Sequence, residues 1–190
     1  MTQVQTQAKS EAVTMKESAW SMRFIWAAII QGLFAVVWTV PIVDPYLTPA
    51  VATVIASGSA GTWFLVGYVM YIVVGVIAPG LTALFYYHFE VIRGKAYKGL
   101  ASGLAWVHLI CMNVGAAGAT WLLMYGGYFG ERGVMTTAQG GLGLTAEQVH
   151  VTILSPLVNP IGYLLILTAI GVLAGGLGFM ITYFGKPKPA

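Results

Sequence analysis

Two of the three histidines, His88 and His108, lie near the adjoining ends of two consecutive apolar stretches, and an imidazole inside a membrane span is costly enough to mark a functional site. Imidazole is a usual axial ligand for haem iron. His108 stands about eight residues into its stretch, roughly 12 Å along a helix axis, and His88 lies a turn or so from the end of the preceding one. Two antiparallel helices could therefore set both rings at similar depth, as a bis-histidine site for a b-type haem. Cys111, Gly115 and Ala119 share the His108 face and offer a small-residue groove for a flat macrocycle. Arg93, with Lys95 and Lys98 beside it, could neutralise the propionates. The alternative reading uses the same residues structurally. In it His88 snorkels at the interface beside Tyr86, Tyr87 and Glu90, and His108 hydrogen-bonds a neighbouring helix.

Other chemistry finds less support. His150 falls on the opposite side of the membrane from the other two histidines, so one chain cannot assemble a three-histidine copper or zinc site. Cys111 is the single cysteine, which excludes an internal disulfide, and Met112, Met124 and Met135 have no ligand spacing. No Ser-His-carboxylate set, phosphate-cradling glycine loop or paired intramembrane carboxylates occur, so catalysis by this chain alone is not expected. Gln31 and Asn113 read as interhelical hydrogen bonders.

The elements that must position these residues are four apolar stretches, approximately 24–43, 62–89, 99–129 and 160–184. A helix of about 20 apolar residues crosses a bilayer core, so each stretch can span once. Lys9, Lys16, Arg23, Arg93, Lys95, Lys98, Lys186 and Lys188 fall on one side and only Arg132 on the other. The positive-inside bias assigns the crowded side to the cytoplasm. The predicted fold is all-α, an integral membrane antiparallel four-helix bundle with both termini inside and a short external interfacial helix. Residues 1–22 and 186–190 read as cytoplasmic tails around a single membrane domain, 23–185. With 58% hydrophobic and 8% charged residues there is no room for a separate soluble domain, and a net charge of +3 gives no nucleic-acid patch.

Within that frame Trp20, Trp26 and Trp38 read as interfacial anchors. Val51 to Ala56 reads as a short interfacial helix, and Pro79 predicts a kink near Gly75. The run from Gly126 to Gly133 is loop by composition. Thr145 to Gln148 forms a capping box that starts a short external helix ending near Leu154, and Asn159 with Pro160 reads as the separate start of the fourth span. Gly115 with Ala119, and Gly171 with Gly175, are small-xxx-small pairs that predict tight packing within the bundle or against a flat partner helix, and their number, more than one internal contact needs, also predicts association with partner chains.

The string from Leu104 to Gly115, Leu-Ala-Trp-Val-His-Leu-Ile-Cys-Met-Asn-Val-Gly, resembles His-bearing helices of the haem-copper oxidase superfamily. The chain as a whole resembles short four-span proteins of archaeal respiratory gene sets. The main subunit of that superfamily has many more spans and histidines, so the resemblance implies a companion subunit that keeps at most His108 as a haem-ligand position. The expected function is an integral subunit of a respiratory or redox oxidase-type complex in the cell membrane, with lipid and other membrane subunits as partners and possible single haem b. The other classes that fit are a small oligomeric transporter or channel protomer, and a purely structural subunit of another membrane oxidase or monooxygenase.

Overall fold

The computed structural model describes residues 18–185 except 45 and 48. The predicted tail residues 1–17 and 186–190 lie outside the described residues. The fold is all helical, with no strand among those residues. Four helices are long and apolar enough to cross a membrane: α1 (Ala19–Val43), α3 (Gly61–Ile92), α4 (Leu100–Val134) and α5 (Ala146–Phe184). A short helix α2 (Val51–Ala56) sits between the first two, with the bounds read from the sequence.

Successive long helices alternate in direction. The start of α1 meets the end of α3, where the Ser18 hydroxyl and the Trp20 N–H donate to Glu90. At that same end Lys95 donates to the Gly185 carbonyl, so the two ends of the described chain lie together. At the other end the Tyr128 hydroxyl of α4 donates to the Pro49 carbonyl. The helices do not close into a four-cornered bundle, however. α4 is the hub, packed along α5 and α3 and touching α1, whereas α1 lies along α3 and has no substantial contact with α5.

Glycine decides which faces meet. A Cβ on Gly171 would stand 2.4 Å from the Met112 nitrogen, and one on Gly115 2.6 Å from the Leu164 carbonyl. These glycines therefore belong to the internal α4–α5 contact, the first of the two packings their spacing predicts. Gly126, Gly127, Gly130 and Gly133 correct the sequence reading. They continue α4 to Val134, because a Cβ on Gly127 would meet the Phe64 backbone at 2.1 Å and the others face Leu157, Ala60 and Val149. Their glycines allow close approach.

Prolines are absorbed by widened helical turns. Ahead of Pro79 the ladder passes through a π-helical stretch, Tyr71–Ile77, in which the Ala78 N–H reaches back to the Val73 carbonyl. A proline lacks its own N–H and crowds the carbonyl four residues before it, and an added residue in the turn relieves both defects. The same device, His150–Leu154, precedes Pro156. The capping box at Thr145 and Gln148 forms as read, with both reciprocal hydrogen bonds, 2.9 and 3.2 Å. The helix it starts runs on without a break into the fourth span, so Asn159 caps nothing and Pro160 lies inside α5.

Candidate functional site

Two groups of buried polar side chains lie along α3, each built on a tyrosine. Tyr71, in the π-helical stretch, turns its hydroxyl to α1. It donates toward the Gln31 side-chain oxygen and lies 3.1 Å from the Gln31 carbonyl. Gln31, 8% exposed, in turn donates from Nε2 to the Asn113 carbonyl of α4 at 3.4 Å. Gln31 thus links helices as expected, whereas the Asn113 side chain donates to the Leu109 carbonyl of its own helix and only its backbone carbonyl takes part in the link.

The second group surrounds His108. Its ring is 4% exposed, with Phe24 of α1 at 4.9 Å between centroids and Tyr86 and Phe179 each at 6.0 Å. A Cβ on Gly175 would fall 2.1 Å from Nδ1, so α5 passes directly over that edge of the ring. Nδ1 lies 3.2 Å from the Tyr86 hydroxyl, which has no other partner among the described residues. A buried hydroxyl proton needs an acceptor, so Tyr86 donates and the neutral imidazole carries its own proton on Nε2. Nε2 makes no hydrogen bond to the described residues. His108 and Met112 form the floor of a groove of about 370 Å³ between α3 and α5, walled by Thr82, Phe85, Gly176 and Phe179.

His88 does not join this site. It follows Tyr86 by two positions on α3, a rotation of roughly 200°, and is exposed beside Phe89. The two imidazoles therefore do not form an axial pair. Arg93, also exposed, lies over the Tyr183 ring at 5.3 Å. The groove expected along Cys111, Gly115 and Ala119 is filled by α5, with Gly115 against Leu164 and Thr168. His150 is exposed on α5. Among the described residues no three His, Cys, Asp or Glu side chains gather as a metal site. His108 Nε2 is the one imidazole nitrogen of this group that could reach a metal or ligand in the groove.

Around the site, Trp20 is buried against Tyr86 and Tyr97, not anchored in lipid, while Trp26 is 58% exposed. Arg23 lies over the Trp20 and Trp106 rings at 4.3 and 4.9 Å. Glu90 accepts from the first turn of α1, where a carboxylate favours the helix dipole. At the far end Glu131, 4% exposed, does the same for α3 by accepting from the Gly61 N–H at 3.2 Å. In the loop between α3 and α4, burial pushes the Tyr97 hydroxyl well above the ordinary phenol range; the Thr182 hydroxyl offsets this in part and the Glu90 charge adds to it.

Sequence reasoning missed Tyr86, Thr82, Phe179 and Glu131. Tyr86 was in view only as company for His88. The spacing signal was there, since Tyr86 sits two residues before the α3 histidine and takes the opposite face. Compared with protein-family models, with curated proteins and with solved structures, the chain matches none.

Proposed function

We propose that the chain is a multi-pass membrane subunit of a respiratory or redox assembly, with both termini cytoplasmic and His108 as its functional centre. One observation carries this reading: a buried imidazole in an apolar helix is held by Tyr86, Phe24 and Gly175, and its Nε2 makes no hydrogen bond to the described residues. A second groove supports membership in an assembly. Between α1 and α4, about 340 Å³ is lined by Gln31, Phe34, Asn113 and Trp121, and the Asn113 Oδ1 and Trp121 Nε1 are buried without partners. Buried polar atoms without partners are costly, and a helix of another subunit could supply the missing bonds. The bis-histidine haem expectation is not carried over, because His88 is exposed and does not share the His108 site.

Purification of a tagged chain from its native membranes tests the reading. Co-migration with redox-active membrane polypeptides is expected, and a lone species without such companions would overturn it. Orientation is tested separately by impermeant thiol labelling of intact cells, with cysteine introduced at Thr136 or Lys95 in a Cys111→Ser background. Thr136→Cys should label from outside and Lys95→Cys should not.

A further inference from the structure

The groove between α3 and α5 carries a second unused polar group. Thr39, Thr120, Thr168 and Thr182 each donate to the carbonyl four residues earlier in their own helix, and Thr62 and Thr152 are likewise bonded. Thr82 alone among the threonines of the long helices makes no hydrogen bond to the described residues, and it lines the groove with His108. A hydroxyl in hydrocarbon normally closes onto its own backbone. Here Thr82 and His108, each with a polar group that makes no hydrogen bond to the described residues, line the same groove.

From this we infer that the groove binds a lipid-soluble ring bearing a carbonyl, a quinone-type ligand, with the carbonyl oxygen accepting from His108 Nε2–H and Thr82 as second partner. This assignment rests on His108 as the functional centre. Three features select the class. With Nδ1 taken by Tyr86, the imidazole offers a donor, so the ligand must offer an acceptor. Phe85 and Phe179, packed on each other with centroids 5.7 Å apart, give the groove an aromatic wall. Apart from Thr82 and His108 the lining is apolar, with Leu81, Met112 and Val172 beside the two rings, so the oxygen must arrive on an otherwise apolar molecule. The groove volume also falls in the usual range for a ring-sized ligand.

The test uses the full chain, labelled with 15N-histidine, in phospholipid nanodiscs, where His88 and His150 serve as internal references. Titration with tetramethyl-1,4-benzoquinone should move the His108 Nε2 resonance saturably and leave the other two in place. Tetramethylbenzene, of the same outline without oxygens, should not move it. Thr82→Val should weaken binding about fivefold to tenfold, the loss of one hydrogen bond. Gly176→Leu provides a variant that keeps the fold, because a Cβ there meets nothing within 4 Å, and its side chain should block the groove and abolish the shift while the free His108 signal stays native. An unresponsive His108, or equal shifts with both ring compounds, would overturn the quinone assignment. So would a haem Soret band that depends on His108. None of these results alters co-migration with a redox complex, which is read in native membranes, so the two readings fail separately.

Discussion

Tyr71 and Tyr86 stand about four turns apart on α3, and each donates its hydroxyl to a polar side chain of another helix, yet the two sites end differently. At Tyr71 the acceptor is Gln31, whose oxygen takes the hydroxyl and whose amide passes on to the Asn113 carbonyl. The Tyr71–Gln31 pair is thereby closed and fastens α1 to α3 and α4, while Asn113 Oδ1 and Trp121 Nε1 beside it keep no partner among the described residues. At Tyr86 the acceptor is His108, whose second nitrogen is left facing a groove. A closed polar network in an apolar bundle is explained by helix association alone. An open one is not, because the remaining donor has no structural use, and this difference is the ground for separating a fastening from a site.

The largest expected effects come from the glycines that bring the helices together at each site. A Cβ at Gly67, beside the Tyr71 network, would meet the Thr120 carbonyl at 2.7 Å and the Met124 nitrogen at 2.9 Å, both backbone. Gly67→Leu should therefore destabilise the fold by several kcal/mol, read as loss of monodisperse protein after purification. Gly175→Ala strikes only the His108 side chain. It should yield folded protein in which the His108 resonance is displaced and those of His88 and His150 are not.

Removing the two hydroxyls probes the comparison more finely. Tyr71→Phe leaves the Gln31 oxygen buried without its donor, at about 1–3 kcal/mol in denaturant titration of the micelle-bound protein. Tyr86→Phe should cost about 1 kcal/mol and release the tautomer of His108, seen as a change in which ring nitrogen carries the proton. Equal stability losses with no tautomer change would remove the distinction between the sites.

The smallest effect is confined to alkaline pH. Tyr97 is buried in the loop after α3 and its hydroxyl titrates above the ordinary phenol value near 10. The unfolded chain thus ionises first, so the stability Tyr97 contributes is complete below about pH 10 and is lost as pH rises beyond it. Tyr97→Phe should flatten that decline and leave stability near neutrality almost unchanged.

The helices were legible in the sequence because apolar length is a strong signal, and α2 and the Thr145 capping box were legible because their cues are local. Glycine was the hard residue. At Gly126 to Gly133 it was taken as loop, and at Gly171 and Gly175 the sequence left open whether it served the bundle or a partner helix. Glycine has the same composition whether it breaks a helix or lets one approach another, and only the neighbour across the gap distinguishes the two. His108 was legible as an intramembrane imidazole. Its partner was not, because the choice between His88 and Tyr86 depends on helix rotation, which π-helical turns on α3 shift by a residue each.

The central claim, that His108 opens to the membrane interior through the α3–α5 groove, is tested most directly by paramagnetic broadening of its 15N–1H signal in nanodiscs. A nitroxide carried deep on a lipid chain should broaden the His108 Nε2–H resonance strongly, and an aqueous gadolinium chelate should leave it sharp while broadening His150. Broadening of His108 by the aqueous agent, or by neither agent, would contradict the account.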